Sequence, residues 1–183
     1  MQKSNSLHKS ILNITFIALF AALCYISLMI FFFPLGNMYI HFGNLIVVVA
    51  SLLIGGWQGG LSGSIGMGLF DIFNGHADSS PKTFLLKFLI GLTVGVIFVY
   101  LKKMGVNKTV SAVIGAILGM IVNLTGEVLW KTVQFTLAGS TFNAAFVSSV
   151  ASQSSTLVNA AIAVVGGVAL FSALEKPVKK IIK

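Results

Sequence analysis

Three stretches of this chain are too apolar and too free of charge to belong to a water-soluble fold. Residues 11–33 run 23 positions without a charge, 110–126 run 17, and nothing from 132 to 174 carries one. A helix needs about 20 apolar residues to cross the hydrocarbon core of a bilayer. With 56% hydrophobic and 9% charged residues, a soluble protein would lack polar cover for its surface. The sequence therefore predicts an all-α polytopic membrane protein, one compact domain over residues 1–183. A transmembrane barrel would alternate apolar and polar residues with period two, and these runs do not.

Turn residues divide the chain into six predicted spans. They cover about 11–33, 42–54, 61–74, 82–101, 109–135 and 152–174. Pro34 and Gly36 end the first, the glycine-rich stretch 55–60 reads as a tight turn, and 75–81 as a polar loop. The segment 138–153 is rich in Ser, Thr, Asn and Gln, carries no charge, and reads as a connection. An even number of spans places both termini on one side. That side holds Lys3, Lys9, Lys102, Lys103, Lys108, Lys176, Lys179, Lys180 and Lys183. The other holds Lys82, Lys87 and Lys131. Nine against three makes both termini cytoplasmic. Lys3 and Lys9 precede the first run as in a signal peptide. That run is too long, however, and has no small-residue cleavage site, so it reads as an uncleaved helix.

The net charge of +8 comes from lysines alone, with no arginine. They sit at helix ends without interleaved aromatics, so topology explains them and nucleic-acid binding does not. The single Cys24 allows no internal disulfide. No HExxH or CxxC offers a metal site, no cofactor is implied, and no GxxxxGK[ST] loop supports nucleotide hydrolysis by this chain. An intramembrane aspartyl-protease site needs two facing aspartates. Gly68 precedes Asp71 without the GxGD pattern, and Asp78 falls in a loop.

An ionisable side chain at bilayer depth costs several kcal/mol unless it meets a partner or a wet cavity. Asp71, Lys87, Glu127 and Lys131 therefore need an explanation. At ~1.5 Å per residue, Glu127 lies ~27 Å up the fifth helix from its cytoplasmic start, and Lys87 ~8 Å down the fourth from outside. Asp71 comes late in the outward-running third helix, so all four converge on the outer third of the membrane. Asn123, Glu127 and Lys131 share one helical stripe at i, i+4, i+8. Gln153 and Asn159 join from the sixth helix, and His41, Asn44, His76 and Asp78 from the bounding loops. These residues outline a polar chamber open to the outside. The plainer alternative is two ion pairs, Glu127 with Lys131 and Asp71 with Lys87.

Small residues supply packing seams. Ala18, Ala21 and Ala22 form a flat strip on the first helix, suited either to a neighbour in the bundle or to a partner helix. Gly56, Gly60, Ser64 and Gly68 do the same on the third helix, where the absence of a preceding strand rules out a dinucleotide loop.

These features together resemble the substrate-binding S components of energy-coupling factor (ECF) vitamin transporters. The resemblance is carried by IALFAAL over 17–23, HFGN over 41–44, LIGGWQGG over 53–60, GSIGMGLFD over 63–71 and SPKTFLLKFLIG over 80–91. It spans about 10–175 and is most like the riboflavin-type S components and their hydroxymethylpyrimidine or pyridoxine relatives. The resemblance implies a six-helix subunit that binds its vitamin near the outer face, beneath the loop joining the first two helices. It also implies docking onto a membrane T component driven by two cytoplasmic ATPases, with Ala18, Ala21 and Ala22 meeting the T component. The expected substrate-binding residues are His41, Asn44, Asp71, Lys87, Asn123, Glu127, Lys131 and Asn159. One carboxylate, one amine and amides on a stripe suit pyridoxine or hydroxymethylpyrimidine. Riboflavin is the alternative by family likeness, although no aromatic cluster in the last three predicted helices marks a slot for its fused ring. A self-sufficient gradient-driven transporter, with Glu127 or Asp71 as proton site, is the competing class.

Overall fold

The computed structural model describes the backbone of residues 2–31, 33–35 and 38–182, and the side chains of 10–31 and 39–181. The side chains of Lys3, Lys9 and Lys183, and residue Gly36, lie outside what is described. Seven helices and one hairpin follow in order: α1 (Gln2–Ile30), β1 (Phe33–Leu35), β2 (Met38–Ile40), α2 (Gly43–Ile54), α3 (Gly56–Phe73), α4 (Ser80–Lys103), α5 (Lys108–Leu137), α6 (Phe142–Ala151) and α7 (Ser154–Ile182). The strands pair antiparallel, with Phe33 opposite Ile40 and Leu35 opposite Met38. Four helical stretches are long and apolar enough to cross a membrane: Ser10–Ile30, Ser80–Lys103, Lys108–Leu137 and Ser154–Ile181. The 12 residues of α2 reach only about 18 Å.

Polarity is inverted relative to a soluble bundle. Val165 and Leu137 are 71% and 84% exposed, while Ser62, Ser64 and Ser111 are wholly buried. Asn44, Asn123 and Lys87 are buried as well. Apolar side chains facing outward and polar ones facing inward are what a lipid solvent selects.

Glycines on α3 let three neighbours approach its backbone. A side chain on Gly91 of α4 would overlap the backbone of Gly60, and one on Gly95 would overlap Gly56. Gly59 and Gly63 face Ser51 and Val47 of α2, and Gly66 faces the carbonyl of Ala21 on α1. Two hydroxyls stitch the α3–α4 seam: Ser64 Oγ donates to the Phe84 carbonyl at 2.7 Å and Ser80 Oγ to the Gly68 carbonyl at 3.1 Å. Close backbone approach plus interhelical hydrogen bonds is the main source of helix association in lipid.

The structure corrects three sequence expectations. The stretch 55–60 is not a turn: only Gly55 breaks the helix, with φ of 105°, and α3 starts at Gly56. Those glycines cost helix propensity, but their contacts with α2 and α4 hold them helical. The first helix stops at Ile30 rather than 33, because Phe33–Leu35 pairs as a strand. The segment 138–153 holds a helix, α6. There Ser149 Oγ donates to the Ala145 carbonyl, so a hydroxyl that reads as loop chemistry is satisfied inside the helix. At the opposite end of the bundle, buried Glu175 of α7 accepts from Lys108 of α5 and from Lys179, the latter at 2.6 Å. That end also carries Lys102, Lys103 and Lys180.

Replacing Gly95 by Leu should force α3 from α4. A destabilisation of ~1–3 kcal/mol or more is expected for such overpacking, read as a lower thermal unfolding midpoint in detergent. An unchanged midpoint would refute the seam.

Candidate functional site

A cavity of about 350 Å³ lies among α2, α3, α4, α5, α7 and the hairpin. It occupies the end of the bundle away from Lys102, Lys103 and Lys108: the C-terminal ends of α3 and α5 and the starts of α4 and α7 border it. All eight residues expected to bind substrate line it: His41, Asn44, Asp71, Lys87, Asn123, Glu127, Lys131 and Asn159. Of the wider set, His76 lines it too, whereas Gln153 is buried off the cavity, donating to the Ser149 carbonyl. Asp78 does not line it.

Neither of the two simple ion pairs forms. Lys87 of α4, 4% exposed, donates to Asn44 Oδ1 of α2 at 2.9 Å and to Asn123 Oδ1 of α5 at 3.0 Å. Hydrogen bonds to a charged group contribute ~1.5–3 kcal/mol each. A lysine at the centre of a membrane helix costs ~2.5–3.5 kcal/mol, so two amides suffice to hold it. Glu127 receives both its hydrogen bonds from Lys82, at 3.1 and 3.0 Å. Lys131 donates to Ser152 Oγ at 2.9 Å. Asp71 borders the cavity beside Thr83 of α4.

The cavity wall beside the hairpin is built by Asn159 of α7. Its Oδ1 accepts from the His41 amide and its Nδ2 donates to the Tyr39 carbonyl, both at 2.9 Å. One side chain thus ties the end of the hairpin to the start of α7. His41 Nδ1 accepts from the Gly43 amide at 3.2 Å, which requires a neutral ring. Burial, with the Lys87 charge adding to it, lowers its pKa to about 3.

Sequence reasoning missed Lys82, Tyr39, Phe70, Thr83 and Trp130, which also line the cavity. Lys82 stands at the very start of the predicted fourth span, whereas α4 begins two residues earlier and carries it on the helix. Trp130 follows Glu127 by three residues, on the stripe of Asn123 and Glu127, so helical spacing alone could have found it. Its buried indole Nε1 has no hydrogen-bond partner among the described residues. The alanine strip is divided: Ala18 and Ala22 are exposed, while Ala21 is buried against Gly66.

If Asn159 holds the wall, Asn159→Ala should speed hydrogen exchange at the His41 amide. About 1 kcal/mol per lost bond gives roughly a fivefold change. Unchanged protection would show that the hairpin is held by something else.

The family model for the ECF-type riboflavin transporter S component matches residues 8–176. No curated protein and no solved structure matches the chain. The matched span takes in every residue lining the cavity. The chain therefore belongs to the S component family of ECF transporters: a substrate-binding transporter subunit, integral to the plasma membrane, that works with T and ATPase modules and is not an enzyme.

Proposed function

We propose that this subunit captures a small water-soluble heteroaromatic vitamin or precursor, pyridoxine or hydroxymethylpyrimidine, and delivers it inward with an ATP-driven T component and two ATPases. The observation that carries this reading is the lining of the cavity. Two carboxylates, three amines and several amides surround it inside a bundle whose outer surface is apolar. Polar groups at such depth serve a ligand or an ion path. A cavity of about 350 Å³ lies at the small end of the ~300–1,000 Å³ range of small-molecule sites. The proposed contacts are His41, Asn44, Asp71, Lys87, Asn123, Glu127 and Lys131, with Asn159 forming the wall. Lys82 and Trp130 join them, and the unpartnered Trp130 Nε1 offers a donor to a ring heteroatom.

In this reading the cavity faces outward, both termini are cytoplasmic, and α1 to α5 and α7 make six crossings. The lysines clustered at the opposite end of the bundle support that orientation. Because α2 is short, it would cross only with help from local thinning or from the hairpin that precedes it. Riboflavin is a second reading, favoured by the name of the matched family and by Tyr39, Phe70 and Trp130 at the cavity. The exposed pair Ala18 and Ala22 is the proposed docking strip for the T component. Ala21, packed on α3, is left out of it.

Purified chain, analysed by mass spectrometry for co-purifying small molecules and titrated with all three compounds, should bind one with affinity on the order of nanomolar. Uptake should require the T component and ATPases; flux in liposomes holding this chain alone would overturn the assignment in favour of a gradient-driven transporter. Replacing Ala18 and Ala22 together by Trp should abolish uptake and leave vitamin affinity unchanged. Loss of both would count against the docking strip.

A further inference from the structure

We infer that the cavity is built for a ligand carrying opposite charges on one ring, and that its substrate is a 3-hydroxypyridine bound as the dipolar tautomer. The inference rests on reading this cavity as the substrate site and narrows that reading to one chemical class.

Not all of the charges on the cavity wall cancel. Among the described residues, Glu127 is neutralised by Lys82, with both carboxylate oxygens occupied. Lys131 is bound to Ser152. Lys87 and Asp71 also line the cavity, and neither forms an ion pair within 4.0 Å, Asp71 being hydrogen-bonded to Thr83. Opposite charges in a medium of low dielectric attract strongly, and a direct pair would be the simplest way to hide both. Instead, Asn44 and Asn123 draw Lys87 toward α2 and α5 through two uncharged oxygens. Two of its three ammonium hydrogens are used, and the third has no partner among the described residues. On the cavity wall, beside the Lys131 ammonium held by Ser152, Lys87 and Asp71 thus stand as a cation and an anion that do not pair with each other, and each can meet a complementary group on a ligand.

The candidate rings differ in what they offer such a pair. An aminopyrimidine can present a donor face to Asp71 but no anionic oxygen to Lys87. The fused ring of riboflavin is uncharged at neutral pH and offers no cation to Asp71. A 3-hydroxypyridine can shift its own phenolic proton to the ring nitrogen. The resulting phenolate oxygen accepts from Lys87, and the resulting pyridinium N–H donates to Asp71. The proton moves within the ligand, so no base, redox partner or leaving group is needed.

Pyridoxine and its 3-O-methyl ether, which cannot form this tautomer, are the probes, added to wild-type chain in nanodiscs. Bound pyridoxine should show the longer-wavelength absorption band of the dipolar ring, and the ether should bind about 100-fold more weakly, the scale expected for a buried charge left unmatched. Lys87→Met and Asp71→Asn should each cost pyridoxine a similar factor and cost the ether much less. The wild-type spectrum and the ether comparison decide the matter even if a variant fails to fold. An uncharged bound ring, or equal affinities for the two probes, would overturn the inference while the vitamin-carrier assignment stands. The same holds if only riboflavin or hydroxymethylpyrimidine binds. Folded chain that binds none of the three would overturn both.

Discussion

The structure depends on how closely α3 can approach its neighbours. In lipid, apolar side chains gain nothing by leaving the solvent for each other, so helices associate through contact area and hydrogen bonds. Gly56 and Gly60 meeting Gly95 and Gly91 bring two backbones to touching distance. The serine hydroxyls then cross the seam. With Gly59 and Gly63 turned to α2 and Gly66 to α1, one helix carries three interfaces. This places the end of α3, the start of α4 and the short α2 around a common space. Without that approach, Asp71, Lys87 and Asn44 would not border one cavity.

The charged groups follow from the same arrangement. Each would be costly facing lipid, and each has a partner or a cavity. The partners are distributed among helices distant in the chain: Lys82 with Glu127, 45 positions apart, and Lys87 with Asn44 and Asn123, 43 and 36 apart. Asn159 bridges about 120 positions to the hairpin. The site is thus a product of packing. At the other end of the bundle, Glu175 gathers Lys108 and Lys179, joining α5 to α7 with charges that have no part in the cavity.

Much of the site was legible because depth in a membrane helix is arithmetic. The rise per residue carries Glu127 and Lys87 to the same level, and a period of 3.6 puts Asn123, Glu127 and Lys131 on one stripe. Asp71, Lys87, Asn123, Glu127 and Lys131, which those rules place together, all line the cavity. What was missed has identifiable causes. The glycines at 55–60 read as a turn because local propensity disfavours a helix there, whereas the surrounding α2 and α4 supply the contacts that hold it. The hydroxyl-rich 138–153 segment read as a connection because Ser and Thr can bond loops or helix carbonyls equally well, and sequence does not say which. Ala21 read as part of one strip with Ala18 and Ala22, but a helical face is divided by what packs on it.

By itself, the sequence determined the solvent, the all-α class, the end of the bundle where polar groups gather and several of the residues that gather there. Those follow from quantities local to each helix: apolar length, charge, rise and period. Only the tertiary structure decided who pairs with whom. It gave Glu127 to Lys82 and Lys87 to two amides, and left Asp71 and Lys87 apart. Partner choice depends on distances between helices, and no one-dimensional pattern carries those.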